Sequence, residues 1–192
     1  MVYAMNLISN ITFFLFILFS YVLQNLMIYP IESAIRADAH SEIVSLLYLP
    51  HGMKILFAFM LGPSSVIYIF LAQYISFGWF FDFSVTNLIG SILGSFAIIL
   101  PVILPNLSSK KPILEAPFNY QIVKLNIIWT FTSLSLFTAL IDSTLHMKLY
   151  YDVAEIDVFT YFIVGDFMGA MAVFLLFLFV YRPLMNKFLL QR

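Results

Sequence analysis

Lys54 and Asp166 are ionisable residues set inside long apolar runs, in Leu49-Pro50-His51-Gly52-Met53-Lys54 and Gly165-Asp166-Phe167-Met168-Gly169. A charge in hydrocarbon costs about 2.5 to 3.5 kcal/mol even on mild insertion scales, so it turns toward a partner, a cavity or water. An ammonium and a carboxylate at such depth can bind or relay a polar ligand, or they can form an ion pair that only fixes helix register. His51, whose side chain changes charge near neutral pH, would tune either arrangement. Asp142 and His146 stand four residues apart, on one face of a helix, where they would sit at the mouth of the same pocket. Asn87 falls at similar depth. The expected ligand-binding set is therefore Lys54, Asp166, His51, Asn87, Asp142 and His146, shaped by Pro50, Gly52, Gly165 and Gly169.

These residues need elements to hold them, and composition states which kind. The chain has 192 residues, 62% hydrophobic, 18% aromatic and only 10% charged, with mean hydropathy +1.00; charged residues alone make up about a quarter of a soluble domain. An all-α integral membrane protein is expected, a single domain over residues 1–192. About 20 apolar residues cross a bilayer core, and six stretches qualify: 7–29, 43–61, 63–82, 85–105, 122–145 and 158–181. The first lacks a basic leader and a small-residue cleavage site, so it reads as a retained helix. Little chain remains for a soluble catalytic domain.

Proline removes a backbone donor and glycine weakens a helix, so the second span is expected to be kinked or broken at Pro50-Gly52. Gly62-Pro63-Ser64-Ser65 predicts a tight turn into the third. Gly90/Gly94 and Gly165/Gly169 are spaced for close helix approach, which predicts that the fourth and sixth spans pack tightly, within the bundle or between subunits. Thr130, Thr132, Ser133, Ser135 and Thr138 supply hydroxyls for interhelical hydrogen bonds in the fifth.

Alternating helices gather Lys110, Lys111, Lys124, Arg182, Lys187 and Arg192 on one side, against Arg36 and Lys148 on the other. Basic loops mark the cytoplasmic face, so both termini are expected there. Glu32, Asp38, Glu42, Asp82, Asp152, Glu155 and Asp157 give the opposite face an acidic, cation-attracting field. Counting inward from that face at 1.5 Å per residue places His51 and Asp166 roughly 12 Å deep and Lys54 about 16 Å deep.

Several chemistries lack their markers. The chain has no cysteine, which removes thiolate chemistry and cysteine-ligated metals. No HExxH, GxSxG or Walker glycine loop occurs. His51, His146 and Asp142 have donor types that suit zinc or iron, and the two histidines could hold a haem only if they faced each other; no metal is assigned and the cofactor is left unknown. The net charge of −1 argues against a nucleic-acid partner.

The Leu-Pro-x-Gly segment at Leu49 to Gly52, followed by Leu61-Gly62-Pro63 and a late Gly165-Asp166-x-x-Gly169, resembles the MASE1 family of bacterial integral-membrane sensory domains. The resemblance carries over to Pro50, Gly52, Gly165, Asp166 and Gly169. It implies a bacterial inner-membrane location and signalling to a cytoplasmic kinase or cyclase; no such output domain is expected in these residues. A six-helix bundle of this size also looks like the substrate-binding components of energy-coupling-factor vitamin transporters. The leading expectation is a non-enzymatic membrane module that binds a small polar ligand in an outward-facing pocket and couples to a partner protein. A transporter, or a substrate-binding component of one, is the second; a structural subunit of a larger membrane complex is the third. Membrane lipids are partners under each.

Overall fold

The computed structural model describes residues 6–36, 44–107, 127–150 and 156–189, and every described element is helical. Helix α1 (Asn6–Leu23) runs through a π-helical turn, Gln24–Ile28, straight into α2 (Tyr29–Ile35), making one long rod. Helices α3 (Leu49–Leu61), α4 (Val66–Phe80), α5 (Val85–Leu107), α6 (Ile127–Tyr150) and α7 (Ile156–Leu189) complete a six-rod bundle. Lys110, Lys111 and Lys124 of the basic loop, Asp38, Glu42, Asp152, Glu155 and Arg192 lie outside the described residues.

Pro50 opens α3 rather than interrupting it. The expected kink or break at Pro50-Gly52 is absent, because the helix begins at Leu49 and runs unbroken for 13 residues. Proline suits the first turn, where its missing N–H has no intrahelical acceptor to lose. The apolar residues before it, 44–48, form a non-helical strap. That strap is tied on three sides. Arg36 Nη1 donates to Val44 O at 2.8 Å, Glu32 Oε2 accepts from Leu46 N at 3.0 Å, and Tyr48 N donates to Gly165 O at 3.0 Å. Gln24, in the π turn, holds both ends: its Nε2 donates to Ser45 Oγ at 2.9 Å and its Oε1 accepts from Leu49 N at 3.1 Å. The second bond satisfies a donor that the start of α3 would leave open.

Gly62 turns α3 back into α4. Its φ of 66° is in the region glycine enters without steric cost, and a single 3₁₀ turn, Gly62–Ser65, completes the reversal. The tight turn read from the sequence is thus present.

Side-chain pairs fix the helix directions. Phe13 meets Phe57 in a tilted contact at 4.5 Å and Tyr21 meets Tyr48 at 6.3 Å, so α1 and α3 are antiparallel. Phe131 stacks on Phe174 at 4.2 Å while His146 lies beside Phe162 at 6.1 Å, which makes α6 and α7 antiparallel. Around the bundle the order is α1, α4, α5, α6, α7, α3 and back to α1, with α3 also reaching across to α5 and α6. Ile17, Tyr21, Ile55, Ala58, Ile69, Ile98, Phe131 and Phe174 are among the core residues.

The glycines do other work than the spacing suggested. Among the described residues, helices α5 and α7 share no extended interface. A Cβ at Gly165 would strike Ser45 O, one at Gly169 would strike Tyr48 O, and one at Gly52 would strike the α7 backbone at Gly169 and Ala170. Those three positions let the strap and α3 lie directly on α7. Gly90 and Gly94 instead admit side chains, Tyr150 at the first and Gln73 with Asp142 at the second.

Two described helical segments, Ile11–Ile35 and Ile156–Val180, are long and apolar enough to cross a membrane; Val85–Pro101 is a shorter apolar one. Among the described residues, the all-helical architecture is present and two segments meet the length and apolarity of a full span. At 1.5 Å per residue, the 13 residues of α3 reach about 20 Å, against a hydrocarbon core of roughly 30 Å. Part of the apolar stretch 43–61 went into the strap instead.

Candidate functional site

Helix α3 presents His51 and Lys54 one turn apart, and α6 presents Thr138, Asp142 and His146 at four-residue spacing, so each helix offers one polar stripe to the interior. Asp166 of α7 and Gln73 of α4 close the group. All but His146 are buried: Lys54 is 0% exposed, Asp142 1% and Asp166 5%.

Asp142 is the hub. Its Oδ2 lies 3.3 Å from Lys54 Nζ and 3.2 Å from His51 Nδ1, while its Oδ1 lies 3.4 Å from His146 Nδ1. The pairing expected between Lys54 and Asp166 is therefore replaced by Lys54 with Asp142. Asp166 Oδ2 sits 3.5 Å from His51 Nδ1. The register explains the exchange: Lys54 is a turn deeper along α3 than His51, and its stem carries the ammonium toward α4 and α6, where Gln73 Oε1 accepts from Nζ at 3.3 Å. His51 Nδ1 faces two carboxylates. Its Nε2 lies 3.2 Å from Thr138 Oγ1, whose hydroxyl hydrogen is given to Leu134 O at 2.9 Å. His146 Nδ1 also lies 3.0 Å from Asp142 O of its own helix.

Burying charges costs several kcal/mol per ion unless the geometry and further hydrogen bonds compensate. Here one ammonium and one carboxylate neutralise each other, and imidazole and amide groups take the remaining sites. Gln73 Nε2 is left without a hydrogen-bond partner and Asp142 Oδ1 without one of ordinary geometry.

Above this cluster, at the end of the bundle where the strap, the α4 to α5 connection, the end of α6 and the start of α7 lie, is a cavity of about 750 Å³. Asp142, His146, Asp166 and Asn87 line it; Lys54 and His51 do not. Lys54 stands behind Asp142. Asp142, expected at the mouth, belongs instead to the buried floor, and His146 is the half-buried member. Asn87 is at the rim, joined to Asp82 through a short Nδ2 contact to Oδ1 and a 3.0 Å bond to the backbone oxygen. Tyr150 donates to Asn87 Oδ1 at 3.0 Å. Burial pushes the Tyr150 phenol up to about 12, aided by the charges of Asp142 and Asp82, so it is a neutral donor at any ordinary pH.

Pro50 and Gly52 start α3 under the strap, and Gly165 and Gly169 bring α7 against it, which sets His51 beside Asp166. Sequence reasoning missed Gln24, Gln73, Ser45 and Tyr48. A lone glutamine in each of two apolar runs was the available signal, since an amide in such a setting needs partners as a charge does. The hydroxyls of α6 act mostly within their own helix: Ser135 donates to Phe131 O at 2.7 Å and Thr138 to Leu134 O at 2.9 Å. Thr132, 3.8 Å from Met171 Sδ, reaches across to α7.

The ligand atoms of His51, Asp142 and Asp166 lie within 4.8 Å of one another, close enough to hold a metal ion. The Lys54 ammonium already occupies the cation's place on Asp142, so the set is organised around an internal ion pair. Comparison with known proteins adds no relative: no family model, no curated protein and no solved structure matches the chain.

Proposed function

We propose that this chain is an integral membrane module that binds a small ligand in the cavity over Asp142 and Asp166, with the cavity facing away from the basic loops. The single observation carrying this reading is the joining of a roomy, open-ended cavity to a buried polar cluster. A purely structural ion pair needs no such space. Cavities of 300 to 1,000 Å³ with a few convergent polar groups are the usual form of ligand sites.

Membrane insertion, with the helices of the bundle embedded together, is supported by the inverted surface. Phe19, Leu26, Trp79, Phe96, Trp129 and Phe179 are each more than half exposed, while Lys54, His51, Gln73, Asp142 and several serines are interior. Water would favour the reverse arrangement. Both termini then lie with Lys110, Lys111, Lys124, Arg182 and Lys187 at the cytoplasmic face. A sensory role like that of MASE1 domains fits a module whose recognition is intramembrane and whose output passes to a protein partner at the basic face.

Native mass spectrometry of protein purified from its own membrane in mild detergent tests this. A stoichiometric small molecule released from the wild type, and lost from Asp166→Asn, is expected. A bare chain accompanied by a fixed-stoichiometry partner subunit would overturn it in favour of a structural subunit.

A further inference from the structure

We propose that the ligand of this cavity is a small organic cation, an amine or quaternary ammonium carried on an apolar or aromatic body. The inference rests on the cavity being a ligand site and adds the charge class of what enters.

Among the described residues, three carboxylates line the cavity, Asp82 at the rim and Asp142 and Asp166 at the floor, and no Lys or Arg does. The cation nearest to the floor, Lys54, is fully buried behind Asp142 and held by that carboxylate and by Gln73. An incoming anion would meet carboxylate oxygens before it met the ammonium. Arg36 is also committed, to Val44 O and to the face of the Tyr161 ring at 5.0 Å. Asp142 is neutralised by Lys54. Asp166, 3.5 Å from His51 Nδ1, and Asp82, bonded to the Asn87 amide, are the acceptors left for an ammonium.

The walls agree with the floor. Tyr21, Tyr29, Tyr48, Phe77 and Tyr150 line the cavity. Aromatic faces attract cations, most strongly where water is excluded. Among the described residues the lining combines rings and carboxylates with no Lys or Arg, and its one imidazole, His146, is turned to Asp142; that composition holds an ammonium, whereas a phosphate or carboxylate ligand would call for arginine or backbone N–H groups.

The test uses the full chain in detergent with Asn25→Cys as its only thiol, since the native sequence has no cysteine and Asn25 lines the cavity. A water-soluble maleimide reports access to that position. Tryptamine, tryptophol and indole-3-acetate share one ring and differ in charge, and tryptophol controls for partition into the micelle. Tryptamine is expected to protect the thiol at concentrations about tenfold or more below the other two, and an added Asp82→Asn/Asp166→Asn pair is expected to erase the preference. Protection by indole-3-acetate equal to or better than by tryptamine overturns the charge class, as does absence of protection by all three with normal labelling; the cavity then stands. A thiol that never labels overturns the cavity and the inference together. The comparison of three compounds on the parent thiol decides the matter even if the added variants fail to fold.

Discussion

Lys54 Nζ lies 3.3 Å from Asp142 Oδ2, an ion pair between α3 and α6 that stands on the cavity floor yet shows the cavity only its carboxylate. Removing one partner of such a pair leaves the other charge buried alone, at a cost of about 3 to 5 kcal/mol. Asp142→Asn and Lys54→Met should each lower stability on that scale. Lys54→Met with Asp142→Leu should cost well under the sum. Thermal unfolding of the four proteins in one detergent gives the coupling directly.

Gly169 and Gly90 should respond differently to an added methyl group. At Gly169 the methyl meets the backbone of Tyr48 and Leu49, whereas at Gly90 it meets the Tyr150 hydroxyl, the free end of a side chain. Overpacking against fixed backbone costs about 1 to 3 kcal/mol. Gly169→Ala should sit at the top of that range. Gly90→Ala should lose little beyond the Tyr150 to Asn87 hydrogen bond, about 1 kcal/mol. Melting curves read by size-exclusion chromatography will rank the two.

Pro50→Ala should change stability by less than about 1 kcal/mol, because proline at the first turn of α3 breaks no hydrogen bond. A proline kinking a helix interior costs about 3 kcal/mol, so a large gain on its removal would contradict the placement of the α3 start at Leu49.

The rim tie has a pH signature. An unfolded tyrosine titrates at about 10, and Tyr150 is held up to about 12 in the fold. Between those values the unfolded chain has released a proton that the folded chain keeps, so stability falls as pH rises through this window. Tyr150→Phe should lack that portion of the fall. Parallel melts of both proteins from pH 9 upward provide the difference.

Much of the site was readable as residue types. An ionisable residue in an apolar run announces a polar interior, and His51, Lys54, Asp142 and Asp166 do converge in one cluster. The pairing was not readable, because it depends on how far Lys54's stem reaches past His51 and on which helix stands opposite. Pro50 misled for a related reason: the same residue breaks a helix in its interior and begins one at its first turn, and only Gln24, 25 positions earlier in the chain, shows that the helix starts at Leu49. The Gly165/Gly169 spacing marked a close backbone approach, whereas Gly90 and Gly94 receive side chains. The spacing did not say that the approaching backbone would be a strap rather than another helix.

The most direct measurement is a cryo-EM map of the full chain, purified in mild detergent and placed in lipid nanodiscs, inspected between Tyr48, His146 and Asp166. Non-protein density in contact with Asp166, bounded by the aromatic walls, is the expected result. A closed interior, with those three side chains packed against one another and no space between them, would contradict the ligand site.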